Sequence, residues 1–307
     1  METDPIVEEA PTVSSWCRTT VRVVVIFGLV VVGFPFASKA SRSTVLAYFS
    51  GIEGIEANHQ LMNYTTLSVD DDRNVENRKI KVACVGDSIT ERGCVTNMND
   101  TYVSQLSSIL GSDYEVTNFG HSGQTMFKGG MCCRNDETWP CSYWNTPEFL
   151  AATTSAPDIV TIMLGTNDAK RCNWYGPPDG SPKGVGHEYI LDYTDMLELF
   201  WSLPSVQKIY IAIPPPLVHP PEHPDQPVPF DMDDHVVNDE LIVLVPSIAK
   251  EFGLKTNTTI GVIDVWSALG GQKGYQNPAM TCDGCHPKKD ACTIIARTFA
   301  SAIAAGR

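Results

Sequence analysis

From Ile80 onward, short apolar runs rich in β-branched residues alternate with longer amphipathic stretches, and this alternation limits the possible folds more than any other feature. Ile80–Val85, Tyr114–Phe119, Asp158–Leu164, Gln207–Ile213 and Ile260–Val265 have strand length and end at turn residues. Helical periodicity marks Tyr102–Leu110, Tyr189–Leu203, His235–Phe252 and Lys288–Ile303. Such an alternation predicts an α/β fold: a parallel sheet with helices on both faces. Ligands of these folds bind beyond the carboxyl ends of the strands. The residues that follow each strand are therefore the first place to look for chemistry. Two segments break the alternation. Gly129–Phe149 is rich in Cys, Trp and Gly and resembles neither strand nor helix, and Ile213–Phe230 carries too much proline for a helix interior. Both are read as loops at the carboxyl edge, either plain surface or substrate-recognition loops.

Before Ile80 the texture is different. Residues 1–20 are an acidic tail, and 38–78 are mixed and polar, which reads as a stem or linker. Between them, Val23–Ala37 is an unbroken run without charge, flanked by Arg18 and Arg22 before and Lys39 and Arg42 after. Its length lies between a signal-peptide core and a full membrane span. Segment 21–37 is expected to be a signal anchor or a cleaved signal peptide, attaching the protein to a membrane if it is retained. Either way, the folded domain at 79–307 would enter the secretory lumen or leave the cell. The ten cysteines fit that compartment. Cys17 precedes the run, and Cys84 reads as a core thiol within a strand. The even set Cys94, Cys132, Cys133, Cys141, Cys172, Cys282, Cys285 and Cys292 is available for disulfides. Asn63, Asn99 and Asn257 begin glycosylation sequons. A net charge of -14 argues against nucleic acid as a partner.

Four short motifs carry the chemistry. Gly86-Asp87-Ser88 closes the first strand, so Ser88 stands at a helix start where free N–H groups favour an oxyanion. A plain N-cap serine would look the same. Asn118-Phe-Gly-His-Ser-Gly123 follows the second strand, and its glycines leave backbone N–H groups accessible or simply make a turn. Leu164-Gly-Thr-Asn167-Asp168 follows the third, where the Asn167 amide can donate to a developing anion or cap its own backbone. Asp283-Gly-Cys-His286-Pro287 precedes the last helix. Its histidine can accept a serine proton while the carboxylate three residues earlier holds the other ring nitrogen. Cys282 and Cys285 raise a zinc reading, but a second ligand pair with suitable spacing is missing. His219 and His223 flank prolines that forbid the helix an i, i+4 metal pair needs, so they read as solvated loop.

Taken in order, the four motifs resemble the GDSL/SGNH hydrolase family over about residues 79 to 307. The resemblance implies a flavodoxin-like three-layer α/β/α sandwich. It implies Ser88 as nucleophile, His286 as base and Asp283 as its orienting acid. It also implies an oxyanion hole from the Ser88 and Gly123 N–H groups and Asn167, with no metal and no cofactor. The insertion at 129–149 and Cys285 between the dyad residues depart from the family pattern. The expected activity is a carboxylic-ester hydrolase that removes short acyl groups through an acyl-enzyme, with acetyl on a glycan as one substrate. An acyltransferase on the same triad and a non-catalytic glycan-binding module are the alternatives.

Overall fold

The structure is a computed structural model that describes residues 22–26, 29–33, 78–134, 137–175 and 185–306. Two compact units divide the chain, Met1–Val69 and Asp70–Arg307. In the first, β1 (Arg22–Ile26) and β2 (Leu29–Gly33) pair antiparallel. The expected apolar span is thus, where described, a strand pair, which suits its valine-rich composition. Among the described residues no helix is long and apolar enough to cross a membrane, so the expected signal anchor gains no support. The acidic tail, the stem up to residue 77, Cys17 and Asn63 lie outside the described residues.

The second unit follows the alternation read from the sequence. In chain order it contains β3 (Ile80–Gly86), the short α1 (Ser88–Glu91), α2 (Tyr102–Leu110) and β4 (Tyr114–Gly120). The hairpin β5 (Met131–Arg134) and β6 (Glu137–Pro140) comes next, then α3 (Pro147–Thr154) and β7 (Ile159–Met163). After these come α4 (Arg171–Trp174), α5 (Val185–Ser202), β8 (Lys208–Ile213), α6 (Leu241–Thr256) and β9 (Gly261–Asp264). The chain ends in α7 (Val265–Ala268), α8 (Gly271–Tyr275) and α9 (Lys289–Ala305). Five parallel strands form one sheet in the order β4-β3-β7-β8-β9. The chain therefore starts at a central strand, steps outward once, and returns across the start before continuing. That reversal at β3 is the topological switch point of a flavodoxin-like sheet.

Both faces of the sheet are covered. Ala83, Val85, Ile162 and Ile211 point into a core shared with Tyr189, Tyr193 and Phe200 of α5 and Val245 of α6. Val82, Cys84 and Met163 point the other way, against Leu106 of α2 and Ile295 and Phe299 of α9. Every residue of β7 is buried, as a central parallel strand requires. Each fully buried Ile or Phe contributes roughly 1.5–3 kcal/mol, so this two-sided burial is the main source of stability.

The insertion departs from expectation. Residues 131–140 form a hairpin, and α3 begins within the stretch read as structureless. Side-chain crosslinks account for the first: Cys132 bonds Cys141 and Cys133 bonds Cys172, which holds the short pair in register. The second had a legible signal, since Pro147 occupies the first turn and the Thr146 hydroxyl accepts the Phe149 N–H at 3.1 Å. A third disulfide joins Cys94 and Cys282. Cys285 and Cys292 are not paired as the even count suggested. Both thiols are packed into the core, as is Cys84. Asn99 and Asn257 are exposed.

Candidate functional site

Three of the four motifs leave neighbouring strands at the carboxyl edge. Gly86 lets β3 end in close quarters: a Cβ there would lie 2.0 Å from Thr90 Oγ1 and 2.8 Å from the Met163 carbonyl. Asp87 then caps α1, its Oδ1 accepting the Ile89 N–H at 3.0 Å, and Ser88 is the first helical residue. The turn after β4 lies against α1. His121 N–H donates to the Gly86 carbonyl at 3.0 Å, and Ser122 N–H donates to Glu91 Oε2 at 2.9 Å. Gly123 has φ +79, which a side chain would strain, and its carbonyl is 3.4 Å from Cys132 Sγ.

The Asp283–His286 segment is closed on itself. Asp283 Oδ1 accepts the backbone N–H groups of Cys285 at 2.9 Å and His286 at 2.8 Å. Thr281 Oγ1 donates to the His286 carbonyl at 2.8 Å and accepts the Gly284 N–H at 3.0 Å. The Tyr275 hydroxyl donates to the Cys285 carbonyl at 2.9 Å. The Cys94–Cys282 disulfide and the Cys94 N–H to Pro287 carbonyl bond at 2.9 Å tie the segment to the loop after α1. The turn therefore presents its ring to Ser88 in one orientation. His286 Nδ1 is 2.7 Å from Asp283 Oδ2, and His286 Nε2 is 2.9 Å from Ser88 Oγ, although 198 residues separate serine and histidine.

The electrostatics suit a base. Burial is the largest influence on His286 and favours the neutral ring. The hydrogen bond and charge of Asp283, with the charge of Asp87, outweigh it and hold the imidazole above its ordinary 6.5. Burial likewise pushes Asp283 upward, but its bonds with His286 and the two backbone donors keep its carboxyl below the ordinary 3.8. The pair therefore favours carboxylate beside imidazolium, the state created when the ring takes a proton.

Asn167 is buried beside Asp87, the residue before Ser88, its Nδ2 donating to Asp87 Oδ2 at 3.3 Å. An amide nitrogen has a second hydrogen to donate. Several supporting residues escaped the sequence reading. Asp168 accepts the backbone N–H groups of Met126 at 2.9 Å and Phe127 at 2.8 Å, linking the end of β7 to the chain beyond Gly123. Asn173 binds the Asn167 carbonyl at 3.1 Å and both backbone groups of Met131, at 2.8 and 2.9 Å. Lys170 is buried nearby, and burial lowers its pKa. Phe230 sets its ring edge-to-face with His286, centroids 5.4 Å apart. The Asn-Asp motif was the one available signal for Asp168, while Phe230 had none, because 56 residues of sequence separate it from His286. His219 and His223 are exposed in the proline loop, as read, and His219 Nδ1 sits 2.7 Å from the Gln226 carbonyl. Cys282 is committed to its disulfide, so the Cys282/Cys285 pair does not offer two thiolates.

A serine, a histidine and a carboxylate joined in this order at the switch point of a doubly wound sheet are the layout of a serine-nucleophile hydrolase site. The chain belongs to the GDSL-like lipase/acylhydrolase family, whose pattern matches residues 84–291. It is similar to an acetylxylan esterase from Xylanibacter ruminicola, with 29% identity over 245 residues, or 73% of this chain and 43% of that protein. The chain thus spans less than half the length of that relative. Among solved structures, a carbohydrate acetylesterase from Sinorhizobium meliloti superposes with a TM-score of 0.53 at 20% identity, covering 75% of this chain and 100% of the other. An aryl esterase from M. smegmatis superposes at 0.51 with 18% identity, covering 74% and 99%. At these identities the superpositions speak for the fold.

Proposed function

We propose that the protein is a serine carboxylic-ester hydrolase that removes short acyl groups, specifically acetyl from a glycan, with residues 79–307 as the catalytic domain. The observation that carries the reading is the relay from Asp283 through His286 to Ser88, with contacts of 2.7 and 2.9 Å. In this mechanism Ser88 Oγ attacks the ester carbonyl while His286 Nε2 takes its proton. The oxyanion is held by the Ser88 and Gly123 N–H groups and the Asn167 amide. As the tetrahedral intermediate collapses, the bond to the alcohol breaks and His286 returns the proton to the leaving oxygen. Water, deprotonated by the same ring, then cleaves the acyl-enzyme and frees Ser88. The names of the acetylxylan esterase and the carbohydrate acetylesterase support acetylated glycan as the substrate.

We place the domain in the secretory lumen or outside the cell, directed there by the apolar run 23–37. Three disulfides support this. The reading is tested by fluorophosphonate labelling and by a panel of aryl esters from acetyl to palmitoyl alongside acetylated sugars. Labelling at Ser88 with activity confined to short acyl groups is expected. A protein that neither labels nor cleaves any ester would remove the reading. Endoglycosidase should shift the mobility of the cell-derived protein, and a fully reduced, unglycosylated cytosolic protein would overturn the placement.

A further inference from the structure

A cavity of about 660 Å³ opens beside the Asp283 edge of the site, walled by the proline loop. In size it suits a small-molecule ligand. Phe230 lines it, half exposed, while its ring also meets the His286 ring. The backbone that sets this ring in place is unusual. Phe230 and Asp231 are consecutive non-glycine residues with φ of 63° and 54°. Bulky side chains rarely adopt that conformation, and it persists only where the surroundings hold it. Here they do. Met232 bridges to Lys170, Asp233 N–H donates to the Ala169 carbonyl at 2.8 Å, and the Tyr175 hydroxyl donates to Asp233 Oδ2 at 3.1 Å. At its other end the loop is fixed by the Val218 N–H to Gly284 carbonyl bond at 3.0 Å. Packing an aromatic ring inward would be the ordinary use of such anchoring, yet this ring is left facing the cavity.

The side of the site on which the cavity lies tells which part of an ester it receives. His286 must hand its proton to the leaving oxygen, so the alcohol departs on the histidine side, away from the oxyanion donors. Phe230 and Asp283 place the cavity on the histidine side. Around the exposed ring, the lining adds Arg171, His223, Gln226 and Asp231. An alkyl alcohol would cover these polar groups without pairing them, which is unfavourable. A sugar ring offers both a C–H face for the aromatic ring and hydroxyls for the polar rim. We infer that this cavity is the subsite for the alcohol part of the ester, that the alcohol is a sugar, and that Phe230 is the specificity-determining platform on which its ring stacks.

The inference rests on the esterase reading, and the test separates the two. The full chain and its Phe230→Ala and Phe230→Trp variants are assayed on an O-acetylated xylo-oligosaccharide and on ethyl acetate, with Tm measured on each preparation. Phe230→Ala should lose roughly tenfold or more in kcat/KM on the sugar ester, chiefly through KM, because an apolar contact is removed. On ethyl acetate, which offers no sugar ring to stack, any loss should come only through the contact with His286 and should be at least severalfold smaller than on the sugar ester. Phe230→Trp should restore the sugar-ester activity. Equal losses on both esters would show the ring serving only His286 and would overturn the inference, as would an unchanged rate on the sugar ester. Wild-type cleavage of ethyl acetate but not of the sugar ester would overturn it while leaving the esterase intact. A wild-type protein that cleaves neither and does not label with fluorophosphonate would remove both.

Discussion

The two ends of the five-stranded sheet treat their buried carboxylates in opposite ways. At the amino end, Asp158 receives the Arg78 guanidinium at 2.9 and 2.6 Å and the Lys81 N–H at 2.9 Å. Its own backbone carbonyl accepts the N–H groups of Gln207 at 2.8 Å and Lys208 at 3.2 Å, so one residue ties the starts of three strands. Burial pushes its carboxyl up, but Arg78 and the Lys81 N–H prevail and hold it below its ordinary value. At the carboxyl end, Asp87 and Asp168 take their hydrogen bonds from backbone N–H groups and the Asn167 amide. Burial dominates there, pushing their carboxyls up to about 6 and about 7. One end is electrostatically satisfied and serves the fold. The other bears the cost of buried acids because they position the loops around Ser88.

Substitutions at the two ends should therefore dissociate stability from activity. The largest effect is expected at Ser88: Ser88→Ala should lower kcat on the order of 10⁶-fold and abolish fluorophosphonate labelling, while Tm stays near wild type. Normal ester turnover by that variant would break the comparison outright. Asn167→Ala should lower kcat by about 10²–10³ with KM little changed, because the amide bond to the oxygen becomes charge-assisted only in the tetrahedral intermediate. A Tm loss with normal kcat would instead make Asn167 a structural residue. At the amino end, Asp158→Ala should behave in reverse. It should cost about 1–3 kcal/mol in a urea titration, since a buried carboxylate is lost with its hydrogen bonds from the Arg78 guanidinium and the Lys81 N–H, and leave kcat of the folded enzyme unchanged.

The smallest effects are those of pH, and they sharpen the contrast. Asp87, Asp168 and His286 all stand above their ordinary values. A group raised on folding gives its full stability below the unfolded pKa and loses it as pH rises through the folded one. For the two acids this window runs from 3.8 to about 6 and about 7, and for His286 it begins at 6.5. Asp158 and Asp283 are lowered, so their contributions are complete above 3.8 and fade only as pH falls below it. Tm by scanning fluorimetry should thus be higher near pH ~5 than near pH ~8. Activity should run the other way: kcat/KM on an acetyl ester should rise with pH, with its inflection above 6.5, as the base loses its proton. A flat Tm across that range would mean the carboxyl-end acids ionise as freely as those in the unfolded chain.

Much of this was decided by the sequence alone. The spacing of β-branched runs determined five strands, and each of the five strands of the parallel sheet lies within one residue of its expected bounds. Parallel strands buried on both faces leave a continuous apolar signal, which local reading captures well. The motifs after β3 and β7 and before α9 marked Ser88, Asn167, Asp283 and His286, because turn and cap chemistry is also local. Tertiary structure decided the rest. Only folding brings His286 Nε2 to 2.9 Å from a serine 198 residues away. Only packing chooses which cysteines pair: Cys282 reaches Cys94, while Cys285, three residues on, and Cys292 are buried as free thiols. The hairpin at 131–140 is tied by disulfides to Cys141 and to Cys172, the second 39 residues along the chain from Cys133. Phe230 reaches His286 only because its loop is fixed at Lys170 and Gly284. Strand period and turn type are set by neighbours within a few residues, whereas sulfur pairing, ring placement and proton affinity are set by atoms that become neighbours only once the core is closed.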